Sequence, residues 1–213
     1  MEFKESKVKW NLAGEKKQLT KMSDVSSQSE EKFTTLSQEL NNLLGWWITL
    51  WSIILLSWEP GIGKSTLGLQ IAQFVDKNII YISWEENENQ IISRAKRLNI
   101  HSEKISLLCE NNLENILKTL ECSKSDIVVL DSISVITSNN ASGSAGSISQ
   151  VKEVAEKIVD FWKSTNTTII IIWHVTKDGN LAGPKTLEHL VDTVLFFEWE
   201  RYEEVRILRS LKN

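Results

Sequence analysis

The sequence predicts an α/β fold with a mostly parallel central sheet flanked by helices on both faces. Three observations carry this reading. Five short apolar runs recur along the chain: Ser52–Ser57, Asn78–Ser83, Asp126–Leu130, Thr168–Ile172 and Thr193–Phe197. They are rich in β-branched residues and almost continuously apolar, as strands covered on both faces must be. Helical patterns lie between them, over Lys64–Val75, Glu88–Leu98, Leu113–Glu121 and Ile148–Lys163. Strands that alternate with helices build right-handed βαβ units.

The elements follow in order. Residues 1–31 are polar and rich in Lys, Glu, Ser and Gln, without an apolar period, and read as a flexible arm or linker. The first residues are charged and lack an apolar stretch, so they do not resemble a signal peptide. Residues 32–213 hold the alternating pattern of a single domain. Leu43–Leu56 is the one run that invites a membrane reading, but its 14 residues fall short of the roughly 20 that a spanning helix needs. We expect a buried core segment and no membrane. Val205–Leu211 alternates less cleanly and suits an edge strand. Ser138–Ser147 is a Ser/Asn/Gly/Ala loop that looks unable to pack, as either a plain linker or a mobile functional loop.

Composition narrows the function classes. With 213 residues, 41% of them hydrophobic, the chain can bury a sizeable core, so collagen, disordered and disulfide-scaffold classes are excluded. A net charge of −4 gives no global basic character, so any DNA site is a local patch. Cys109 and Cys122 form no CxxC pair and read as reduced thiols of a cytoplasmic protein.

A phosphate-binding motif stands at the end of the first apolar run. Trp58, Glu59, Pro60, Gly61, Ile62, Gly63, Lys64 and Ser65, with Thr66 behind them, fit GxxxxGK[ST] except at the first position. In that pattern, glycines let backbone N–H groups converge on an anion at a helix N-terminus. Lys64 reaches the β- and γ-phosphates of a nucleotide such as ATP, and Ser65 offers its hydroxyl to Mg²⁺. Trp58 occupies the place of the first glycine. A bulky side chain at a left-handed position there costs roughly 1–2 kcal/mol and crowds the entrance.

Three further run ends lie at the carboxyl edge of the sheet, where open α/β folds bind ligands. Asp131 closes an apolar strand and suits a Mg²⁺-water ligand beside Ser65; alternatively it caps the next turn. Glu85 and Glu86 follow Ser83. Glu85 can orient or deprotonate an attacking water, or both acids can cap the following helix. His174 ends the fourth run, where it either senses a γ-phosphate or is structural.

Together these residues resemble the bacterial RadA/Sms DNA-repair ATPase family, whose members are RecA-like P-loop NTPases. The resemblance runs from about Met22 to Asn213. It rests on EPGIGKSTLGLQ, on Tyr81–Asn87, on QIISRAKRL, on Asp131-Ser-Ile, on GSISQVKE and above all on HVTKDGNLAGPKTLEHLVD. It implies an ATP- and Mg²⁺-dependent motor that forms a homo-oligomeric ring, binds single-stranded or branched DNA and promotes branch migration. A RecA-type recombinase is an expected partner class. The resemblance assigns Lys64, Ser65 and Asp131 to the Mg-ATP site, Glu85 to hydrolysis and His174 to the γ-phosphate. Lys212 falls on the first basic residue of the family's KNRFG, which reaches a neighbour's nucleotide. Ser144, Lys152, Lys177 and Lys185 are the expected DNA-facing residues, against a plain reading as loop and solvated lysines. The family's zinc finger and Lon-like domain are absent from these residues, so the expectation is an ATPase core clipped inside KNRFG. The alternatives are a replicative-helicase core, a KaiC-like regulator, or a non-catalytic interaction module if Trp58 and Trp84 are genuine.

Glycine and tryptophan occur nine times each, which is low for glycine and high for tryptophan. Trp46, Trp47, Trp51, Trp58, Trp84, Trp173 and Trp199 stand where the resembled family has Gly. Returning them to Gly restores the ordinary glycine share of about 7%. The pattern predicts UGA codons that the source reads as glycine.

Overall fold

Parallel strands with no exposed face need helices on both sides, and the computed structural model is built that way. It describes Lys21 and residues 32–44, 48–58, 64–100, 103–165, 167–174, 187–200 and 205–213. The chain divides into two units, Met1–Glu30 and Glu31–Asn213, and apart from Lys21 the described residues belong to the second. In order, this unit contains β1 (Lys32–Phe33), α1 (Gln38–Leu43), β2 (Ile48–Thr49), β3 (Ile53–Trp58), α2 (Lys64–Gln73), β4 (Ile79–Ser83) and α3 (Glu88–Arg97). It continues with β5 (Ile105–Cys109), α4 (Leu113–Glu121), β6 (Ile127–Asp131), a 3-10 turn (Ile133–Val135), α5 (Ile148–Ser164), β7 (Thr168–His174), β8 (Thr193–Glu200) and β9 (Val205–Lys212).

Seven strands form one sheet in the order β5-β4-β6-β7-β3-β8-β9. All neighbours are parallel except β8 and β9. Side chains alternate between two cores, as the two-residue period of a strand demands. Ile53, Leu55, Val128, Leu130, Ile169 and Ile171 pack with Leu113 and Ile116 of α4 and with Val154 and Ile158 of α5. Ile54, Leu56, Val129, Ile170 and Ile172 pack on the other face with Leu69 and Ala72 of α2 and Ile91 of α3. The three longer capped helices start where the sequence offers a cap. Asn87 caps α3 with a reciprocal bond from Gln90, Asn112 caps α4, and Ser147 caps α5. Ser37 does the same for the six-residue α1.

Two expectations change. Leu43–Leu56 is not one segment: it contains the end of α1, then β2, then a turn into β3. Among the described residues no helix is long and apolar enough to cross a membrane. The left-handed tryptophan is also not Trp58, which closes β3 as a strand residue opposite His174 and Phe197. It is Trp51, at φ 67°, in the turn that feeds β3. Its N–H donates to Thr168 Oγ1 at 3.1 Å and its carbonyl accepts from Trp162 Nε1 at 2.5 Å, so the backbone is held in this strained conformation.

This strain yields a prediction that separates backbone from side chain. Trp51→Ala and Trp51→Gly remove the same indole, but only Gly adopts a left-handed φ without cost. We expect Trp51→Gly to be more stable than Trp51→Ala by about 1 kcal/mol in urea unfolding. Equal midpoints would contradict a left-handed turn here.

Candidate functional site

Parallel register brings the strand ends to one edge. Ser83 of β4 lies opposite Asp131 of β6, and Trp58 of β3 opposite His174 of β7. The helix α2 begins at Lys64 and packs against β6. Four of the sequence-predicted positions, Lys64, Glu85, Asp131 and His174, thus flank one edge of adjacent elements. Glu59, Pro60, Gly61, Ile62 and Gly63 lie outside the described residues, as do the side chains of Trp58, Lys64 and His174. Ser65 and Thr66 form the first turn of α2 and are half-buried.

Asp131 and Glu85 belong to one hydrogen-bonded cluster. Asp131 is 3% exposed, and its Oδ2 accepts from the Tyr81 hydroxyl at 2.5 Å. Burial, then the neighbouring Asp131 charge, pushes the Tyr81 phenol well above its ordinary value, so it stays protonated as a donor. Next in the chain, fully buried Ser132 donates to Glu85 Oε1 at 3.1 Å. Its oxygen lies 2.6 Å from Ser134 Oγ. Ser132 has one proton and gives it to Glu85, so Ser134 is the donor in the second bond. Glu85 is exposed at the edge, and the buried Ser132 hydroxyl holds one of its oxygens.

The two adjacent acids therefore differ. Glu86 pairs with Arg94 of α3, both half-buried, and is committed to that helix. Neither acid caps α3, since Asn87 does so. Trp84, between Ser83 and Glu85, is 52% exposed. Trp173, one residue before His174, is buried, and its indole N–H has no partner among the described residues.

The loop 138–147 is pinned, contrary to the expectation that it cannot pack. Gln150, buried in the first turn of α5, accepts from Ser138 N–H at 2.8 Å. Its amide donates to the carbonyls of Ser138, Ala141 and Gly143. Glu114 Oε1 of α4 accepts from the Ser138 hydroxyl at 2.7 Å and from Asn139 N–H at 3.1 Å. Gly143 and Gly146 supply the positive φ angles of its turns. Short polar side chains stand in for an apolar anchor, which is why the composition looked unpackable.

The expected DNA-facing residues divide. Ser144 and Lys152 are exposed, and Lys152 faces Glu156 one turn along α5 at 3.8 Å. Lys177 and Lys185 lie outside the described residues. Lys212, at the end of β9, donates to the carbonyls of Glu188 and Val191 at 3.1 and 2.5 Å. Cys109 and Cys122 are free thiols.

Sequence reading missed Tyr81, Ser132, Gln150 and Glu114. The first had a signal: a tyrosine inside the aliphatic run IIYIS buries a hydroxyl that needs a partner.

The clamp predicts a local pH response. Burial of the Glu114 carboxyl works to raise its pKa, but its hydrogen bonds, led by Ser138, outweigh this and hold it below the ordinary 4.5. A lowered folded-state pKa gives stabilisation that is present above 4.5 and is lost as pH falls through the folded value. Amide exchange at Asn139 should stay protected above that pH and quicken below it. Gln150→Ala should destabilise the chain by about 2 kcal/mol, because the Ser138 N–H then loses its partner.

The model of the ATPase family associated with various cellular activities (AAA) matches residues 54–198. A DNA repair protein RadA of Aquifex aeolicus is 46% identical over 194 residues, covering 90% of this chain and 44% of that protein. RadA of Listeria monocytogenes is 40% identical over 213 residues, covering 99% and 47%. RadA of Streptococcus pyogenes serotype M6 is 43% identical over 216 residues, covering 100% and 48%. The chain spans about half the length of the curated relatives it matches. The crystal structure of a KaiC-like protein from Pyrococcus horikoshii superposes with TM-score 0.66 at 16% identity, over 85% of this chain and 88% of that one, and so shares its fold. The family match covers most of the sheet and both ends of the site, and the chain belongs to the ATPase family associated with various cellular activities.

Proposed function

We propose that residues 32–213 are the ATPase core of a DNA-repair motor, with residues 1–31 outside that core. The observation that carries this reading is the cluster Tyr81–Asp131–Ser132–Glu85 at the edge where α2 opens. Its chemistry fits a magnesium nucleotide. A buried carboxylate and a helix-borne hydroxyl, Asp131 and Ser65, are the hard oxygen donors that Mg²⁺ favours. When bound, Mg²⁺ neutralises charge on the transferred phosphoryl group.

In this reading the chain's own residues divide the work. The loop 58–66, through its backbone N–H groups other than at Pro60, and Lys64 hold the phosphates. Glu85 orients the attacking water and takes its proton, and Ser132 fixes the rotation of that carboxylate. His174, on the strand between those of Asp131 and Trp58, contacts the γ-phosphate. Lys212 acts on the nucleotide of a neighbour in a ring, which requires it to leave the carbonyls of Glu188 and Val191.

Single-stranded or branched DNA is the proposed substrate, met by Ser144, Lys152, Lys177 and Lys185. A RecA-type recombinase is the proposed partner and the cytoplasm the proposed location. Support comes from relatives named DNA repair protein RadA at 40–46% identity. The same identities favour this reading over a helicase core or a KaiC-like regulator, whose likeness to this chain is one of fold.

The roles separate in one experiment on the Trp58→Gly chain, which carries a complete phosphate loop. Lys64→Ala should lower ATP turnover about 100-fold or more. Glu85→Gln should still bind a fluorescent ATP analogue while turnover falls by about 10²–10⁴-fold. No binding at millimolar nucleotide with Mg²⁺ would sink the ATPase reading.

A further inference from the structure

The geometry points to Tyr81 as a positioning residue that sets the Asp131 carboxylate for its divalent cation. This rests on the Mg-ATP reading above and gives a role to a residue to which the sequence reading assigned none.

Two independent features converge on the Tyr81 hydroxyl. The first is its bond to Asp131. Tyr81 sits on β4 and Asp131 on β6, and the register that puts Ser83 opposite Asp131 sends Tyr81 and Asp131 to the same face of the sheet. Tyr81 is 1% exposed, so the phenol is not there for contact with solvent. A buried hydroxyl that donates 2.5 Å to one oxygen of a buried carboxylate fixes the plane of that carboxylate. Oδ2 is thereby committed to Tyr81, which sets how the carboxylate would face the cation or its water.

The second feature is Gly68, one turn into α2, the helix that carries Lys64 and Ser65. A Cβ at Gly68 would meet Ile172 Cδ1 at 2.9 Å and the Tyr81 hydroxyl at 3.2 Å. Glycine inside a helix costs about 1 kcal/mol against alanine, so an ordinary helix does not use it without a packing reason. Here two side chains supply the reason: Ile172, whose Cδ1 is the nearer, and the phenol of Tyr81 on its way to Asp131. The hydroxyl thus links the helix of the phosphate loop to the metal carboxylate. Partners behind a ligand typically govern metal affinity by about 10–100-fold.

The test titrates a fluorescent ATP analogue into the full chain carrying Trp58→Gly, with and without Tyr81→Phe, first in EDTA and then at rising Mg²⁺. We expect equal affinity in EDTA and a Mg²⁺ midpoint about tenfold higher for Tyr81→Phe. A merely structural tyrosine would lower melting temperature and affinity alike but leave the Mg²⁺ midpoint in place, and that result overturns the proposal. Gly68→Ala, which crowds the same hydroxyl from the helix side and leaves every ligand intact, should shift the midpoint in the same direction. It also serves as the readout if Tyr81→Phe does not fold. Absence of binding by the Trp58→Gly chain at millimolar nucleotide with saturating Mg²⁺ overturns the nucleotide reading itself, a result distinct from an unshifted midpoint.

Discussion

Everything at the candidate site depends on parallel register across β4, β6, β7 and β3. Parallel strands run in one direction, so their carboxyl ends meet at one edge, and no hairpin turn can occupy it. Ser83 opposite Asp131 and Trp58 opposite His174 are two readings of the same constraint. A slip of one residue in any pair would turn its side chains to the other face. The two cores on either side of the sheet forbid that slip, because each strand commits alternate residues to α4 and α5 on one side and to α2 and α3 on the other. Apolar packing thus holds charged groups in place that it never touches.

Onto that frame a hydrogen-bonded chain is laid. From Tyr81 it passes to Asp131, along the backbone to Ser132, and then to Glu85. Beyond the 3-10 turn the same segment reaches Thr137, whose N–H donates to the Asn111 carbonyl and whose carbonyl accepts from Leu113. Ser138 follows at once, gripped by Gln150 and Glu114. A short, hydrogen-bonded segment therefore runs from Asp131 to Ser138 at the base of the exposed loop. A displacement of Glu85 has a short, bonded route to the loop proposed to face DNA.

The architecture was legible where burial is complete. Leu113–Glu121 appears with the bounds its periodicity gave, and the five apolar runs became β3, β4, β6, β7 and β8. β5 escaped because it is an edge strand: only β4 pairs with it, Ile105–Cys109 stays mostly half-buried, and only Ile105 among its five residues is β-branched. α1 escaped because six residues hold too little period, and its start depends on the Ser37 side chain. Of the site, the acidic and phosphate-loop positions were readable from motif and strand end. Their supports were not. Tyr81 and Asp131 lie 50 residues apart, and only register, which no local pattern encodes, makes them neighbours.

The tryptophans sharpen what a glycine is for at each place. Trp51 precedes β3, at the opposite end of the strand from the phosphate loop, and its demand is conformational: φ 67° on a backbone tied to Thr168 and Trp162. Trp173 makes a different demand. Its backbone is ordinary strand, but its indole is buried with an N–H that no described residue accepts, which costs about 1–3 kcal/mol. Trp84 makes neither demand, since it is half-exposed in the turn before Glu85. Glycine at these places would answer separate needs: a left-handed turn, a buried volume without a polar orphan, and open space beside Glu85. Trp51 lies at the amino end of the sheet and Trp84 and Trp173 at its carboxyl edge. The two ends are separable because β3 runs the full depth of the core between them.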